Sequence, residues 1–400
     1  MFTELGDRGG EIKPFNLLVA GVGNAGCNVL NAIDASGKPV PYSIAIHTSH
    51  QRLSQAKVMR SVQIGASVTE GASCGGDLKL GRICAESDED MLRELFSGYE
   101  LVVFVAGLGG GTGSGATPVL IRLAREMGCF TLCLATLPFR FEADDKRRIA
   151  DMGLAAIQEQ AHATICFPNE RLIEHLGGRK DLKRGIRAIE SYFSDVVLGL
   201  WDMLNQRGLI HLDFSDLTNL VGHSDGTCTI ACATAEGEDA CKAVAAAMLE
   251  APLLEGGSVL SSAAALMISI RGGADLSLDD IEELVKKLSS RSREDVKIAV
   301  GVNVDGTLGD RVEVMLVTSE LWVRSKMPDR TVASVAATAA SEEPQAGAAA
   351  DGGSLVQSEI ALDTPAGQGK FANVAPTVHD GEDLDVPTFI RRGVKLSRTY

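Results

Sequence analysis

The sequence predicts an α/β protein with a doubly wound parallel sheet, a long central helix and a second, smaller α+β domain. Three observations predict it. Leu101–Ala106 is a continuous apolar, β-branched run, followed by the glycine-rich stretch Gly107-Leu108-Gly109-Gly110-Gly111-Thr112-Gly113-Ser114-Gly115 and then by Val119, Leu123 and Met127 on one helical face. Asn16–Ala20 repeats the plan, with Gly21-Val22-Gly23-Asn24-Ala25-Gly26 as the turn and Val29, Leu30 and Ile33 in the helix behind it. Further apolar runs then alternate with helical patterns, which is the signature of parallel strands joined by helical crossovers.

Composition bounds the rest. The chain has 400 residues, 45% of them apolar, enough for more than one core. A net charge of −15 argues against general binding to nucleic acid or anionic membrane by electrostatics. No apolar run reaches membrane-spanning length, and Met1–Pro14 is charged and glycine-rich, unlike a signal peptide, so a cytoplasmic location without membrane insertion is expected. The nine cysteines are scattered, with no Cys-x-x-Cys pair, and read as buried reduced thiols rather than disulfides or a metal site.

In chain order, the predicted strands of the first unit are Asn16–Ala20, Tyr42–Ile46, Ser61–Ile64, Leu101–Ala106, Phe130–Ala135 and Ala163–Phe167. Thr69–Gly81 reads as a polar, glycine-rich loop able to close over a ligand, and Asp88–Phe96 as an amphipathic helix. The charged run Asp144-Asp145-Lys146-Arg147-Arg148 opens another helix. Asp181–Gln206 reads as one long helix, with Leu182, Ile186, Ile189, Phe193, Val196, Leu200 and Met203 at helical spacing and Gly208 as its stop. Leu209–Asp216 follows as a loop. Strands at Cys228–Thr234, Ala264–Ile270, Val296–Val304 and Val312–Val317, with helices at Glu238–Glu250 and Leu278–Ser289, form the second unit. From about Val332 to Glu382 the composition is too poor in large apolar residues to build a core and reads as a disordered linker. Apolar residues return with two arginines in Asp383–Arg392, as in a short docking peptide on a tether. The expected segments are 1–13 (flexible), 14–180, 181–221, 222–320, 321–382 (linker) and 383–400 (peptide).

Glycine admits close backbone approach, and a helix N-terminus offers free N–H groups and the positive end of a dipole. With Thr112 and Ser114 as further donors, the two glycine turns point to a phosphate chain. The Gly109 turn is not a Walker loop, because Gly115 is followed by Ala116 rather than Lys. Gly21–Gly26 matches the dinucleotide fingerprint, but the strand after it ends in His47-Thr48-Ser49-His50, with no acid for a ribose. A nicotinamide enzyme is therefore the weaker reading.

Gly-Gly-Gly-Thr-Gly-Ser-Gly at 109–115 is similar to the tubulin signature, and the chain resembles the FtsZ family of bacterial tubulin-like cell-division GTPases. The resemblance covers nearly the whole sequence: Gly21–Asn28, Thr48 and Gln51, Thr69–Gly81, Pro138-Phe139-x-Phe141-Glu142, Pro168-Asn169, the long helix, Gly208-Leu209-x-x-x-Asp213-Phe214-x-Asp216, Ala251–Glu255, and the tail. It implies a tubulin/FtsZ-like fold and a GTPase that binds GTP or GDP, with Mg²⁺ held through the phosphates. By position it implies phosphate contacts from Asn24, Ala25, Gly26, Cys27, Asn28, Gly75, Gly109, Gly110, Gly111, Thr112 and Gly113. Glu142 falls at the ribose, Lys146 beside the nucleotide and Glu190 at the guanine edge. The departures are Ile186 for a stacking phenylalanine, Glu190 for Asn or Asp, Lys146 for arginine, His211 for asparagine, Ser49 for aspartate, and Ser73–Asp77 for Gly-Ala-Gly-Ala-Asn. They mark a divergent member or paralogue.

On spacing alone, Asp213 and Asp216 read best as a helix N-cap or turn pair. The resemblance makes them the catalytic carboxylates that polarise a water. They follow the far end of a long helix, so they would serve the nucleotide of the next subunit in a head-to-tail polymer. Partners implied are the chain itself, a membrane-tethering division protein through Asp383–Arg392, and a second FtsZ copy. A filament-forming or filament-modulating scaffold with weak hydrolysis is the competing function.

Overall fold

The computed structural model describes residues 15–38, 42–58, 60–174, 181–206, 208–221 and 228–320, together with the short backbone segments Val378–His379 and Glu382–Asp383. Among the described residues up to 320 there are ten strands: β1 Leu17–Val22, β2 Tyr42–His47, β3 Arg60–Gln63, β4 Leu101–Gly107, β5 Phe130–Leu137, β6 Ala163–Pro168, β7 Cys228–Glu236, β8 Ala265–Gly272, β9 Lys297–Val304 and β10 Arg311–Ser319.

The first six form one parallel sheet in the order β3-β2-β1-β4-β5-β6. All six residues of β1, and the first six of β4, are buried. That is why these strands read as unbroken apolar runs: helices cover both faces of the sheet. The order reverses between β1 and β4, the switch point at whose carboxyl edge such sheets bind ligands. Both glycine turns lie there.

The long helix spans Leu182–Asn205 and runs about 36 Å at ~1.5 Å per residue. Ile189, Phe193, Val196, Val197, Leu200 and Met203 join a core that contains Leu17, Val19 and Val103 of the first sheet and Met267, Met315 and Val317 of the second. Burial of this apolar stripe on two sides fixes the helix between the two sheets. Arg271 of β8 adds an ionic tie, 2.9 Å from Asp202 of the helix, 2.6 Å from Asp305 and 3.3 Å from Glu313. The second sheet has the order β7-β10-β8-β9, with β10 antiparallel to β7 and β8, and β8 parallel to β9. The Ala240–Leu249 and Leu278–Ser289 helices cover it.

Three expectations need correction. Residues 69–81 are not all loop, because Leu78–Glu86 forms a helix whose N-cap Asp77 accepts from the Leu80 N–H at 3.0 Å. The turn after β1 is not a loop either: a helix over Gly23–Ala35 starts directly after the strand. The run Leu209–Asp216 also stops being loop at Phe214, where an eight-residue helix, Phe214–Val221, begins. The linker at 321–382 and the peptide at 383–400 lie outside the described residues, save that Val378–His379 and Glu382–Asp383 pair as short antiparallel strands across the expected boundary.

Candidate functional site

The glycine density of the signature has several causes. A Cβ on Gly113 would stand 2.2 Å from Gly107 O, one on Gly115 2.2 Å from Leu78 O, and one on Gly111 2.6 Å from Asp77 O. These three glycines let the turn lie against β4 and the Leu78–Glu86 helix, so their absent side chains serve backbone packing. Gly109 is fixed by its backbone, with φ at 98°. A Cβ on Gly110 would meet no atom within 4 Å, leaving room at that one point of the signature for a ligand to approach. Behind the turn the chain makes a wide π-helical turn, Thr112–Ala116, before the Thr117–Glu126 helix. Ser114 is buried and its Oγ accepts from the Gly109 N–H at 2.9 Å, so it holds the turn rather than facing a ligand.

The other turn meets the first closely. Gly23, at φ 73°, would place a Cβ 3.2 Å from Gly113 N. Gly26 would place one 2.3 Å from Val105 O, which explains why the Gly23–Ala35 helix can begin against the ends of β1 and β4. No side chain caps that helix among the described residues, and its first turn carries no acid, so the N–H groups of Gly23, Asn24 and Ala25 remain as donors. The Cys27 thiol leans on Gly21 O, and burial pushes it up to about 12. Any contribution of Cys27 to an anion comes from its backbone.

The loop before the Leu78–Glu86 helix closes one side of the site. Gly75 O accepts from the Gly111 N–H at 2.8 Å, with Gly75 at φ 57° and open space around it. On the other side, Glu142 Oε1 accepts from the Phe139 N–H at 2.9 Å and Oε2 from Lys146 Nζ at 2.7 Å, so the two expected contacts form one ion pair at the start of the Asp144–Gln160 helix. Glu190, on the first half of the long helix, is bonded to Asn28, and burial raises its carboxyl above the usual range. The expected base-side and phosphate-side residues are thus joined. Ile186, one turn earlier, is 39% exposed.

Two features that the sequence reading gave no site role stand at the carboxyl edge. Asn169, directly after β6, has a buried Oδ1 with no hydrogen-bond partner, an acceptor left open at the carboxyl edge of the sheet. The signal was present in Pro168-Asn169. The other is the end of β2, whose His47 and Thr48 reach both glycine turns. Thr48 Oγ1 lies 3.2 Å from Thr112 Oγ1.

Asp213 and Asp216 lie elsewhere. Asp213 Oδ1 accepts from the N–H groups of Ser215 (2.8 Å) and Asp216 (3.1 Å), while Asp216 Oδ2 accepts from the Asp213 N–H at 3.0 Å. This is a reciprocal capping box on the Phe214–Val221 helix. It leaves one oxygen of each carboxylate without a hydrogen bond among the described residues, and Asp213 is exposed. The segment before it is pinned to β9 by paired bonds between Ile210 and Val302, at 3.2 and 2.9 Å. Phe214 packs on Phe15, just before β1, at 4.9 Å and on Phe130, the first residue of β5, at 5.8 Å. The carboxylates therefore sit at the amino edge of the parallel sheet and the glycine turns at its carboxyl edge. Strands of this length separate the edges by about 20 Å at ~3.3 Å per residue.

Phe130 also stacks on His162, centroids 4.6 Å apart. His162 Nδ1 accepts from the Thr131 N–H at 3.0 Å, and burial, then Arg125, lowers its pKa to about 4. The folded state thus holds His162 neutral while the unfolded chain protonates it below about 6.5. The resulting stability is complete above pH ~6.5 and is lost as the pH falls towards 4. His162→Gln should flatten the melting-temperature profile in that window relative to the parent, as thermal melts at stepped pH would show. Equal slopes for the two proteins would refute it.

The geometry is that of a known family. The profile of the Tubulin/FtsZ family, GTPase domain, matches residues 16–177, and that of the FtsZ family, C-terminal domain, matches residues 226–321. The chain belongs to the tubulin/FtsZ family. It is 29% identical over 378 residues to the cell division protein FtsZ of Pseudomonas aeruginosa, spanning 94% of this chain and 95% of that protein. It is 29% identical over 311 residues to FtsZ of Wigglesworthia glossinidia brevipalpis, spanning 78% and 80%. Among solved structures, an empty FtsZ dimer from M. jannaschii superposes with a TM-score of 0.70 at 27% identity, covering 79% of this chain and 94% of that one. A GTPγS-bound protofilament of CetZ2 from Haloferax volcanii shares the fold, with a TM-score of 0.62 at 22% identity over 78% and 95% of the two chains. This member of the tubulin/FtsZ family has the family's two-sheet plan.

Proposed function

We propose that this chain binds GTP at the β1–β4 switch point, assembles head to tail and hydrolyses the nucleotide at the contact between subunits. The observation that carries this reading is the placement of the carboxylates and the glycine turns on opposite edges of one sheet. A single subunit cannot bring them together, whereas head-to-tail stacking does, and a repeated heterologous contact that does not close gives a filament. The dimer in which the related M. jannaschii FtsZ was solved supports self-association.

The residues present fit GTP. The uncapped N–H groups of Gly23, Asn24 and Ala25 and the open face of Gly110 suit a phosphate chain. Asn28, Thr112 and the Gly75 loop border it, with Glu142 and Lys146 on the ribose side. Glu190 and the open Asn169 Oδ1 are acceptors that match the N1–H and amino group of guanine. Mg²⁺ would be held through the phosphates and would neutralise their charge. The free oxygens of Asp213 and Asp216 of the neighbouring subunit would orient and polarise the attacking water.

Pelleting with GTP against GDP, with phosphate release measured alongside at several protein concentrations, tests this. Polymer should form with GTP, and release per subunit should rise with concentration. Polymer without phosphate release would favour the scaffold reading, and release independent of concentration would refute the shared site. The terminal peptide is expected to act separately. Removing residues 383–400 should change assembly and hydrolysis by less than about twofold, because a tether decouples its load from the core. The same deletion should abolish recruitment to a membrane-tethered partner, read by fluorescence localisation in cells. A truncated protein that localises normally would sink the docking role.

A further inference from the structure

The end of β2 gives the site a device that none of the expected contacts includes. His47 is 2% exposed. Its Nδ1 takes the Ser49 N–H at 2.8 Å, and its Nε2 lies 3.0 Å from Asn24 Oδ1. A backbone N–H only donates, so Nδ1 is the acceptor and the ring hydrogen sits on Nε2, from which it is given to Asn24. The imidazole is neutral: burial, then Arg52, lowers its pKa to about 4. Asn24 itself is exposed, in the first turn of the Gly23–Ala35 helix, and its side chain bends back to the ring.

We propose that His47 is a positioning residue for nucleotide binding, acting through the amide of Asn24. An amide has an accepting end and a donating end. With Oδ1 held by Nε2–H, the two Nδ2 hydrogens are left for an anion. Without His47 the amide turns freely and presents its oxygen to the phosphates as readily as its donors. The ring thus selects the electrostatic sign that Asn24 shows the ligand. Thr48 does related work on the other turn, binding Thr112 Oγ1 while its own carbonyl takes Gln63 Nε2 at 3.1 Å. The inference rests on the reading of Asn24 as a phosphate-site residue.

Two substitutions separate positioning from packing. His47→Gln places a donor where Nε2 stands and keeps the bond to Asn24. His47→Asn keeps an acceptor for the Ser49 N–H but is too short to reach Asn24. Affinity for labelled GTP, measured on the full chain below its assembly concentration, should be within about threefold of the parent for His47→Gln and about tenfold weaker for His47→Asn. Hydrolysis per polymerised subunit at saturating GTP should stay within about twofold in both. In an Asn24→Ala background, His47→Asn should cause no further loss. Equal affinities for the Gln and Asn variants, or an undiminished loss in the Asn24→Ala background, would overturn the proposal and leave His47 a packing residue. If Asn24→Ala alone binds GTP like the parent, it is the placement of Asn24 at the phosphates that fails, and the inference falls with it. A loss confined to His47→Asn that disappears with Asn24 upholds both.

Discussion

A valine at Gly110 should cost GTP binding at least tenfold, about 1.4 kcal/mol or more, while the melting temperature stays near the parental value. The reasoning is local. No atom lies within 4 Å of the place a Cβ would take at Gly110, so the free protein accommodates it. That same space is the open face of the signature turn, and a branched side chain would fill it before a phosphate could. Gly111→Val is the instructive contrast. Its Cβ would meet Asp77 O at 2.6 Å and the Cys74 side chain at 2.7 Å, so it should destabilise the fold as well as the site. Equilibrium binding of labelled GTP and a thermal melt on each variant check both halves. Parental affinity in Gly110→Val would remove this turn from the nucleotide site, whatever Gly111→Val does.

That contrast also shows how far the sequence could be read. The six parallel strands were legible because burial on both faces leaves apolar runs such as Leu101–Ala106 unbroken. The long helix was legible because its buried stripe repeats over more than six turns at ~3.6 residues per turn. The purpose of each glycine was not. Gly111, Gly113 and Gly115 answer to Asp77, Gly107 and Leu78, and nothing in the local string distinguishes them from Gly110, which answers to open space. The Leu78–Glu86 helix was hidden by the polar, glycine-rich run in front of it, although Asp77 before Leu78-Lys79-Leu80 is an N-cap signal. His47 was read only as the lack of an acid after β2. Its partner Asn24 is 23 positions away, and a hydrogen bond across a parallel sheet leaves no periodicity to find. At Asp213 and Asp216, capping and the proposed chemistry ask for the same residues at the same spacing, so the sequence alone could not rank them.

The cap that Asp213 forms and the catalytic role proposed for it can be pulled apart by choosing the substitution. Asp213→Ala removes the cap and the charge together, and loss of the cap alone costs about 1 kcal/mol. Asp213→Asn keeps an oxygen for the Ser215 and Asp216 N–H groups, and asparagine caps as well as aspartate. It removes only the carboxylate that would polarise the water. Asp213→Asn should therefore fold, bind GTP and polymerise like the parent, yet hydrolyse on the order of 100-fold more slowly, so that its filaments persist. Gly110→Val has the complementary defect: weakened GTP binding, but an intact Asp213 loop. At GTP concentrations that load only the Asp213→Asn subunits, mixing the two should restore phosphate release, because a subunit without GTP can lend its loop to a GTP-loaded Asp213→Asn neighbour. The rescue requires contact, so it should rise steeply with total protein and vanish on dilution below the assembly threshold. Phosphate release at the parental rate from Asp213→Asn alone would reduce the pair to a capping box. Failure of the mixture to recover, in filaments shown to contain both proteins, would rule out a site divided between subunits.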